Sequence, residues 1–146
     1  MTIRLVDAGW GNEFTSAIRA DASTLRIVSP FIKVGALERL LAFRPKKIEV
    51  ITRFNLADFA DGVSDIAAMR RLLAIGARVR GIKNLHAKLY LFGASRAIVS
   101  SANLTAAALD RNQEFGAVLQ DPVSIAACDA YVDRLWRLGE IGRAHV

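Results

Sequence analysis

The sequence predicts an α/β fold, an α-β-α sandwich around a mixed and mostly parallel central sheet, with residues 1–146 forming a single domain. A length of 146 residues is enough for one hydrophobic core, and a hydrophobic fraction of 53% excludes a disordered chain. Segments with strand-like and helix-like periodicity alternate along the chain. Because such alternation is typical of helices packed on both faces of a sheet, we expect this architecture.

The first half of the chain shows two helix patterns and two strand patterns in clear succession. A short helix is expected at Glu13–Arg19, followed by a strand at Thr24–Ser29 that ends at a proline. Apolar residues at positions 34, 37, 40 and 41 predict a helix over Val34–Phe43. The segment KIEVITR predicts a strand at Lys47–Arg53, and Ser64–Ile75 fits a helix with Ser64 or Asp65 as its N-cap and a glycine after its end.

The second half is richer in strands. Apolar and β-branched runs predict strands at Ala77–Ile82, His86–Phe92, Ala97–Ser100 and Glu114–Leu119. Thr105 can cap a short helix over 106–109. The pair Asp121-Pro122 predicts the start of a last helix that runs to about Leu138.

Composition limits the cellular setting. No apolar run approaches the roughly 20 residues that a membrane span needs, and the first residues lack the apolar stretch of a signal peptide. The single cysteine, Cys128, lies in the last predicted helix and has no partner for an internal disulfide. Because a buried, unreactive thiol suits a reducing compartment, we expect a cytoplasmic protein.

Positive charge is concentrated in one part of the sequence. The net charge is +6, and no Asp or Glu occurs between Ile66 and Leu109, a window that holds seven Lys and Arg residues. Such a window favours a polyanionic partner, with a solvated basic face as the alternative. Within it, Arg78, Arg80 and Lys83 are candidate ligands of nucleic-acid phosphates.

The stretch NLHAKLYLFGASRAIVSSANLT at 84–105, followed by NQEF at 112–115, carries the candidate chemistry. His86 and Lys88 are two residues apart in a predicted strand and therefore share a face, as do Ser101 and Asn103. If the two strands are neighbours, these four side chains meet at one edge of the sheet. Each residue alone has an ordinary structural explanation, but the set in this order favours a site.

This set suits attack on a phosphodiester. A neutral imidazole can attack phosphorus and form a phosphohistidine, while a lysine, an amide and a hydroxyl stabilise the charge on the non-bridging oxygens. A carboxylate on the other ring nitrogen would select the reactive tautomer of His86, and Glu114 is the candidate. No cluster of metal-ligand residues is evident, so we expect neither a metal nor another cofactor.

The motif resembles that of the phospholipase D superfamily, H-x-K followed by a G/S-S-x-N turn. The resemblance implies the superfamily's sandwich fold, with His86 as the nucleophile, Lys88 as the phosphate-binding lysine, Ser101 and Asn103 as the S-x-N pair, and Glu114 as the acid that orients the histidine. The full motif is H-x-K-x4-D, and Gly93 occupies the aspartate position here. The metal-independent restriction endonucleases of the superfamily show a similar absence.

The resemblance therefore implies a metal-independent DNA phosphodiesterase, in the setting of a restriction or defence system. Members with one motif per chain form a homodimer with a shared active site, and the second histidine here, His145, has no lysine two residues on. The alternatives are an inactive nucleic-acid-binding module of the same fold and a phospholipid hydrolase or transferase. A site-specific enzyme would need a separate recognition domain or subunit.

Overall fold

The computed structural model of the chain describes residues 2–62 and 64–141, where one sheet of eight strands carries six helices. The strands are β1 Ile3–Val6, β2 Thr24–Val28, β3 Lys47–Thr52, β4 Arg78–Gly81, β5 Leu89–Phe92, β6 Arg96–Ser100, β7 Gly116–Leu119 and β8 Glu140–Ile141. The helices are α1 Trp10–Ala20, α2 Val34–Leu41, α3 Leu56–Ala60, α4 Ile66–Ala74, α5 Ala106–Asp110 and α6 Pro122–Leu138. The strand order across the sheet is β1-β7-β6-β5-β2-β3-β4-β8.

The predicted α/β class and mixed sheet are confirmed, but the prediction of a mostly parallel sheet is wrong. Among the described strands, only β2–β3 and β3–β4 pair in parallel, and the other five pairings are antiparallel. The parallel pairs are joined through helices, which give enough chain for a crossover. Residues 93–95 alone link β5 to β6, and so short a connection permits only an antiparallel hairpin.

Helices cover both faces of the sheet, which confirms the sandwich. On one face α1, α2, α4 and α5 pack on the larger apolar core, and α6 packs on the other face. Two predicted helix starts are confirmed by their caps, since Thr105 accepts a hydrogen bond from the Ala108 N–H and Asp121 accepts one from Ser124. The strands β1 and β8 and the helix α3 were not predicted. None of the helices in the described ranges is long and apolar enough to cross a membrane.

The face under α6 is only partly covered. Leu89 and Leu91 of β5 pack in the α6 core, and Leu119 at the end of β7 packs against it, but β1 and the start of β7 lie beyond it. Pairing of Leu5 with Ala117, and of Ala117 with Val99, places this row of side chains on one face. An exposed apolar strip results, made of Ile3 (48% exposed), Leu5 (69%), Val99 (42%) and Phe115 (58%).

An ionic cluster joins α6 to the sheet. The buried side chain of Arg26, on β2, lies 3.1 Å from Glu49 on β3. The same guanidinium reaches 2.7 Å from Asp129 and 2.9 Å from Asp133, both on α6. Because a buried guanidinium needs charged partners, this cluster fixes the position of α6 over the centre of the sheet.

Candidate active site

The candidate residues gather where β2, β3 and β4 end and β5 begins, which we call the site edge. Pairing of Val28 with both Ile51 and Leu89 brings these ends together. His86 and Lys88 lie just before β5, so the strand predicted from residue 86 starts at residue 89. The Nζ atom of Lys88 lies 3.4 Å from Nδ1 of His86, and the imidazole is exposed. The predicted shared face of these two side chains is therefore present.

Ser101 and Glu114 are held against each other at the ends of β6 and β7. The Ser101 hydroxyl donates to Oε1 of Glu114 at 2.7 Å and accepts from the Phe115 N–H at 3.0 Å. The side chain of Asn112 donates to Oε2 of Glu114 at 3.2 Å, and the Trp10 indole donates to the Glu114 carbonyl at 3.0 Å. Within the described residues Glu114 forms no ion pair with His86, so its place is beside Ser101.

Asn103 is oriented by the segment that follows β2. Its Oδ1 lies 3.4 Å from the Phe31 backbone N–H and 3.4 Å from the Ser29 hydroxyl. Because a backbone N–H can only donate, this contact assigns the amide oxygen to the side of Phe31. The NH2 group has no hydrogen-bond partner in the described part of the chain, so its two N–H donors are available.

Two buried hydroxyls hold the Ser101–Asn103 loop from beneath. The Tyr90 hydroxyl donates to the Ala102 carbonyl at 2.7 Å, and the Ser29 hydroxyl accepts from the Leu104 N–H at 3.1 Å. Burial raises the pKa of Tyr90, so its hydroxyl stays protonated as a donor at neutral pH. Sequence reasoning missed both residues, although Tyr90 continues the face of His86 and Lys88 two residues on.

Replacing Tyr90 with phenylalanine should lower catalysis more than substrate affinity. The Ala102 carbonyl would lose its buried donor, which costs about 1–3 kcal/mol, and the loop that carries Asn103 would loosen. We expect kcat to fall roughly 10-fold with little change in KM, because even small misplacement of a donor is costly. Steady-state kinetics measures the split. A fall in apparent kcat no larger than the loss of folded protein measured by thermal unfolding, or a rise in KM of similar size, would contradict the positioning role.

Of the three basic residues predicted to bind phosphates, the structure brings Lys83 to the site edge, in an exposed turn before His86. Arg78 begins β4 at the opposite edge of the sheet, where it lies 3.1 Å from Glu49 and stacks on Trp136. Arg80 also stacks on Trp136 and donates to its carbonyl. These two guanidinium groups are therefore engaged in packing within the domain.

Arg53 is a cation at the site edge that sequence reasoning missed. It follows β3, and its guanidinium forms two hydrogen bonds with the buried carboxylate of Asp58, at 2.7 and 2.9 Å. The same group stacks on the Phe31 ring at 4.7 Å, next to the loop segment that orients Asn103. Lys47–Arg53 was predicted only as a strand, and the side chain's position depends on α3, which the sequence did not reveal.

Gly93, at the motif position of the missing aspartate, lies far from the candidate site. It follows the last residue of β5 and has a left-handed φ of 57°. A side chain there would collide with the Asp21 carboxylate. Hydrogen bonds from Ser23 hold the pKa of Asp21 below its ordinary value, so this carboxylate is charged at neutral pH. The departure from the motif therefore changes a turn at the other end of the strand.

Two further sequence expectations concern His145 and metals. His145 lies outside the described residues. In residues 2–62 and 64–141, no three His, Cys, Asp or Glu side chains are grouped as the ligands of a metal ion.

Within the described residues, the sheet carries α6 on one face and α1, α2, α4 and α5 on the other. With the His-x-Lys and Ser-x-Asn segments at the site edge, this arrangement is that of a phospholipase D-like domain. The family model described as "Cardiolipin synthase, PLD-like domain" matches residues 15–136. The chain therefore belongs to the phospholipase D superfamily. No curated protein sequence matches it.

Solved structures share this fold. Nuc, a phospholipase D family member from Salmonella typhimurium, superposes with a TM-score of 0.80 at 20% identity, over 98% of this chain and 99% of Nuc. NucT from Helicobacter pylori superposes with a TM-score of 0.73 at 14% identity, over 97% of this chain and 99% of NucT. TrmBL2, an archaeal chromatin protein, superposes with a TM-score of 0.68 at 12% identity, over 96% of this chain and 54% of TrmBL2. At these identities the similarity concerns the fold alone.

Proposed function

We propose that the chain is a metal-independent nuclease that cleaves DNA through a phosphohistidine at His86. The observation that carries the proposal is the contact between His86 and Lys88, whose Nδ1 and Nζ atoms lie 3.4 Å apart at the exposed site edge. The Asn103 amide is held by Phe31, in the segment that follows β2. A nucleophile beside a fixed cation is the minimum that phosphodiester attack requires. The similarity to Nuc and NucT supports the proposal at the level of the family.

The proposed reaction has two displacements at phosphorus. An unprotonated nitrogen of His86 attacks, the P–N bond forms, and the P–O bond to the leaving nucleotide breaks as that oxygen takes up a proton. Water then attacks the phosphohistidine, which releases the phosphate end and restores the imidazole. Lys88 and the NH2 group of Asn103 stabilise the non-bridging oxygens, and Lys88 supplies positive charge that a metal ion provides in other nucleases.

Glu114 keeps the proposed role of orienting the histidine. Its two oxygens each accept one hydrogen bond, from Ser101 and from Asn112. A carboxylate oxygen can accept a further bond, so Glu114 retains acceptor positions for an imidazole N–H. Ser101 then acts as the residue that positions Glu114, in addition to any contact with substrate.

The proposed enzyme is a homodimer with its active site at the two-fold axis. Proton transfer to the leaving oxygen needs a second group, and the partner copy of His86 can provide it. The apolar strip of Ile3, Leu5, Val99 and Phe115 supports this assembly, since an exposed apolar face favours association. The strip reaches the site edge, because the Ser101 N–H donates to the Phe115 carbonyl at 3.1 Å.

Cleavage should persist without divalent cations. Plasmid and single-stranded DNA are incubated with wild-type protein and with His86→Ala, each in EDTA and in magnesium. We expect equal wild-type cleavage in both buffers and none by the variant. Activity that disappears in EDTA and returns with magnesium would contradict the mechanism. DNA binding without cleavage would favour the inactive binding module, and hydrolysis of phospholipid vesicles instead of DNA would favour the lipid alternative.

Breaking the apolar strip should produce an inactive monomer. Leu5→Lys places a charge in the strip, and we expect sedimentation to change from dimer to monomer at micromolar concentration with loss of cleavage. Ile66→Lys is the matched control, because Ile66 is 51% exposed on α4, which packs on the opposite face of the sheet. A monomeric wild-type protein with full activity would refute the shared site.

A further inference from the structure

A basic cavity of about 320 Å³ lies at the starts of β3 and β4, the opposite ends of these strands from the site edge. It is lined by the loop between α2 and β3, the end of α4 and the start of β4, and it is open to solvent. Its apolar lining comes from Leu41, Ile48, Ile75 and Ala77. Five cations line it as well, namely Arg44, Lys46, Lys47, Arg71 and Arg78.

Among the residues that the structure describes, no carboxylate lines this cavity. Arg71 pairs with Glu38 at 2.6 Å and Arg78 with Glu49 at 3.1 Å. Within the described residues, Arg44, Lys46 and Lys47 form no ion pair, and all three are exposed. Several positive charges around one cavity raise the local potential and attract an anion, so the cavity favours a ligand with several negative charges.

The backbone at Arg44 gives an independent indication. Arg44 has a φ of 53°, and within the described residues it alone of the non-glycine residues lies in the left-handed region. Its N–H donates to the Leu41 carbonyl at 2.9 Å, which closes the end of α2 at a position where glycine is usual. An arginine there costs backbone strain and adds a cation to the cavity. Strain of this kind is concentrated at functional sites.

We infer that this cavity binds phosphate groups of the nucleic acid at a distance from the scissile bond. The inference rests on the proposed nuclease function and extends its substrate-binding surface. Strand β3 runs from Lys47 at the cavity to Thr52 at the site edge, and its six residues span about 20 Å. A nucleic-acid strand that occupies both the site edge and the cavity must therefore continue for several nucleotides past the cleaved bond. A polyphosphate chain can engage all the free cations together, which a single phosphate cannot do.

The test compares substrate lengths. The triple variant Arg44→Gln, Lys46→Gln, Lys47→Gln is made on a His86→Ala background, so that binding is measured without cleavage. A matched control removes three exposed cations elsewhere, Arg70→Gln, Arg134→Gln and Arg137→Gln. For a single-stranded oligonucleotide of about 30 residues, we expect the cavity variant to lose roughly 10-fold or more in affinity, with the slope of log K against log salt smaller by about 2.

Oligonucleotides of roughly four residues can occupy the site edge or the cavity but not both at once, so they lack the gain in affinity from linked binding, and the cavity variant should lose less affinity for them than for the long oligonucleotide. The control triple should keep most of the long-oligonucleotide affinity. Equal losses in both triples, or an unchanged salt slope, would overturn the inference. The inference would also be overturned if the cavity variant lost binding to phosphatidylserine vesicles but kept its parent's affinity for DNA. If the wild-type protein fails to cleave DNA, the proposed function fails, whereas the binding measurements still decide whether the cavity holds nucleic acid.

Discussion

Alanine at position 86 is expected to remove essentially all turnover while DNA binding and stability stay close to wild type. His86 is exposed, and its described side-chain contact is with Lys88, so truncation opens no cavity. Lys88→Ala and Asn103→Ala should each cost on the order of 10²-fold in kcat, as lost donors to a developing charge do. Gln120→Ala, an exposed polar substitution at the end of β7, is the control and should have no effect.

Mixed dimers make this expectation more specific. When wild-type and His86→Ala chains are refolded together, a site that needs both histidines is active only in wild-type homodimers. Activity should then fall with the square of the wild-type fraction, at constant total protein. A linear fall would show that each chain carries an independent site, and the shared-site model would be abandoned even if His86 is the nucleophile.

Loss of the Arg26 guanidinium is expected to give the largest destabilisation of the fold. Arg26→Ala leaves Glu49 buried beneath α6, with Arg78 as its remaining cation, and separates Asp129 and Asp133 from their partner. Removing one member of a buried ionic cluster typically costs about 3–5 kcal/mol. Urea unfolding should therefore show a much lower midpoint for this variant.

The control for Arg26 is an exposed ion pair of similar geometry. Arg39 lies 2.8 Å from Asp110, with side chains 37% and 47% exposed. Arg39→Ala should cost less than about 1 kcal/mol, because solvent already screens the pair. Similar midpoints for the two variants would mean that the Arg26 cluster contributes no more than a surface pair.

Much of the site edge was predictable because it depends on local periodicity. The two-residue spacing of His86 and Lys88 places both on one side of an extended chain, and the structure retains this even though β5 begins after them. The cap at Thr105 and the start of α6 follow from equally local rules. In each case the residues that decide the geometry are adjacent in sequence.

Features that depend on distant segments were not predictable. The acid-free window of the sequence suggested an unpaired basic surface, but Glu38 and Glu49, from earlier elements, pair with Arg71 and Arg78 in space. The prediction of a mostly parallel sheet was wrong for a related reason, since the periodicity of a strand does not reveal which strand will pair with it. The packing of Tyr90 beneath Ala102 likewise depends on a neighbouring strand.

The turn at Gly93 has a consequence for engineering by family consensus. Restoring the motif aspartate there would place a second carboxylate against the ionised Asp21, at a left-handed backbone position. Position 21 thus decides which residues position 93 tolerates, although the two belong to different elements. An aspartate at position 93 therefore requires the Asp21 side chain to move away or to be replaced, so the two sites are best changed together. Consensus redesign of this chain should treat them as one coupled unit.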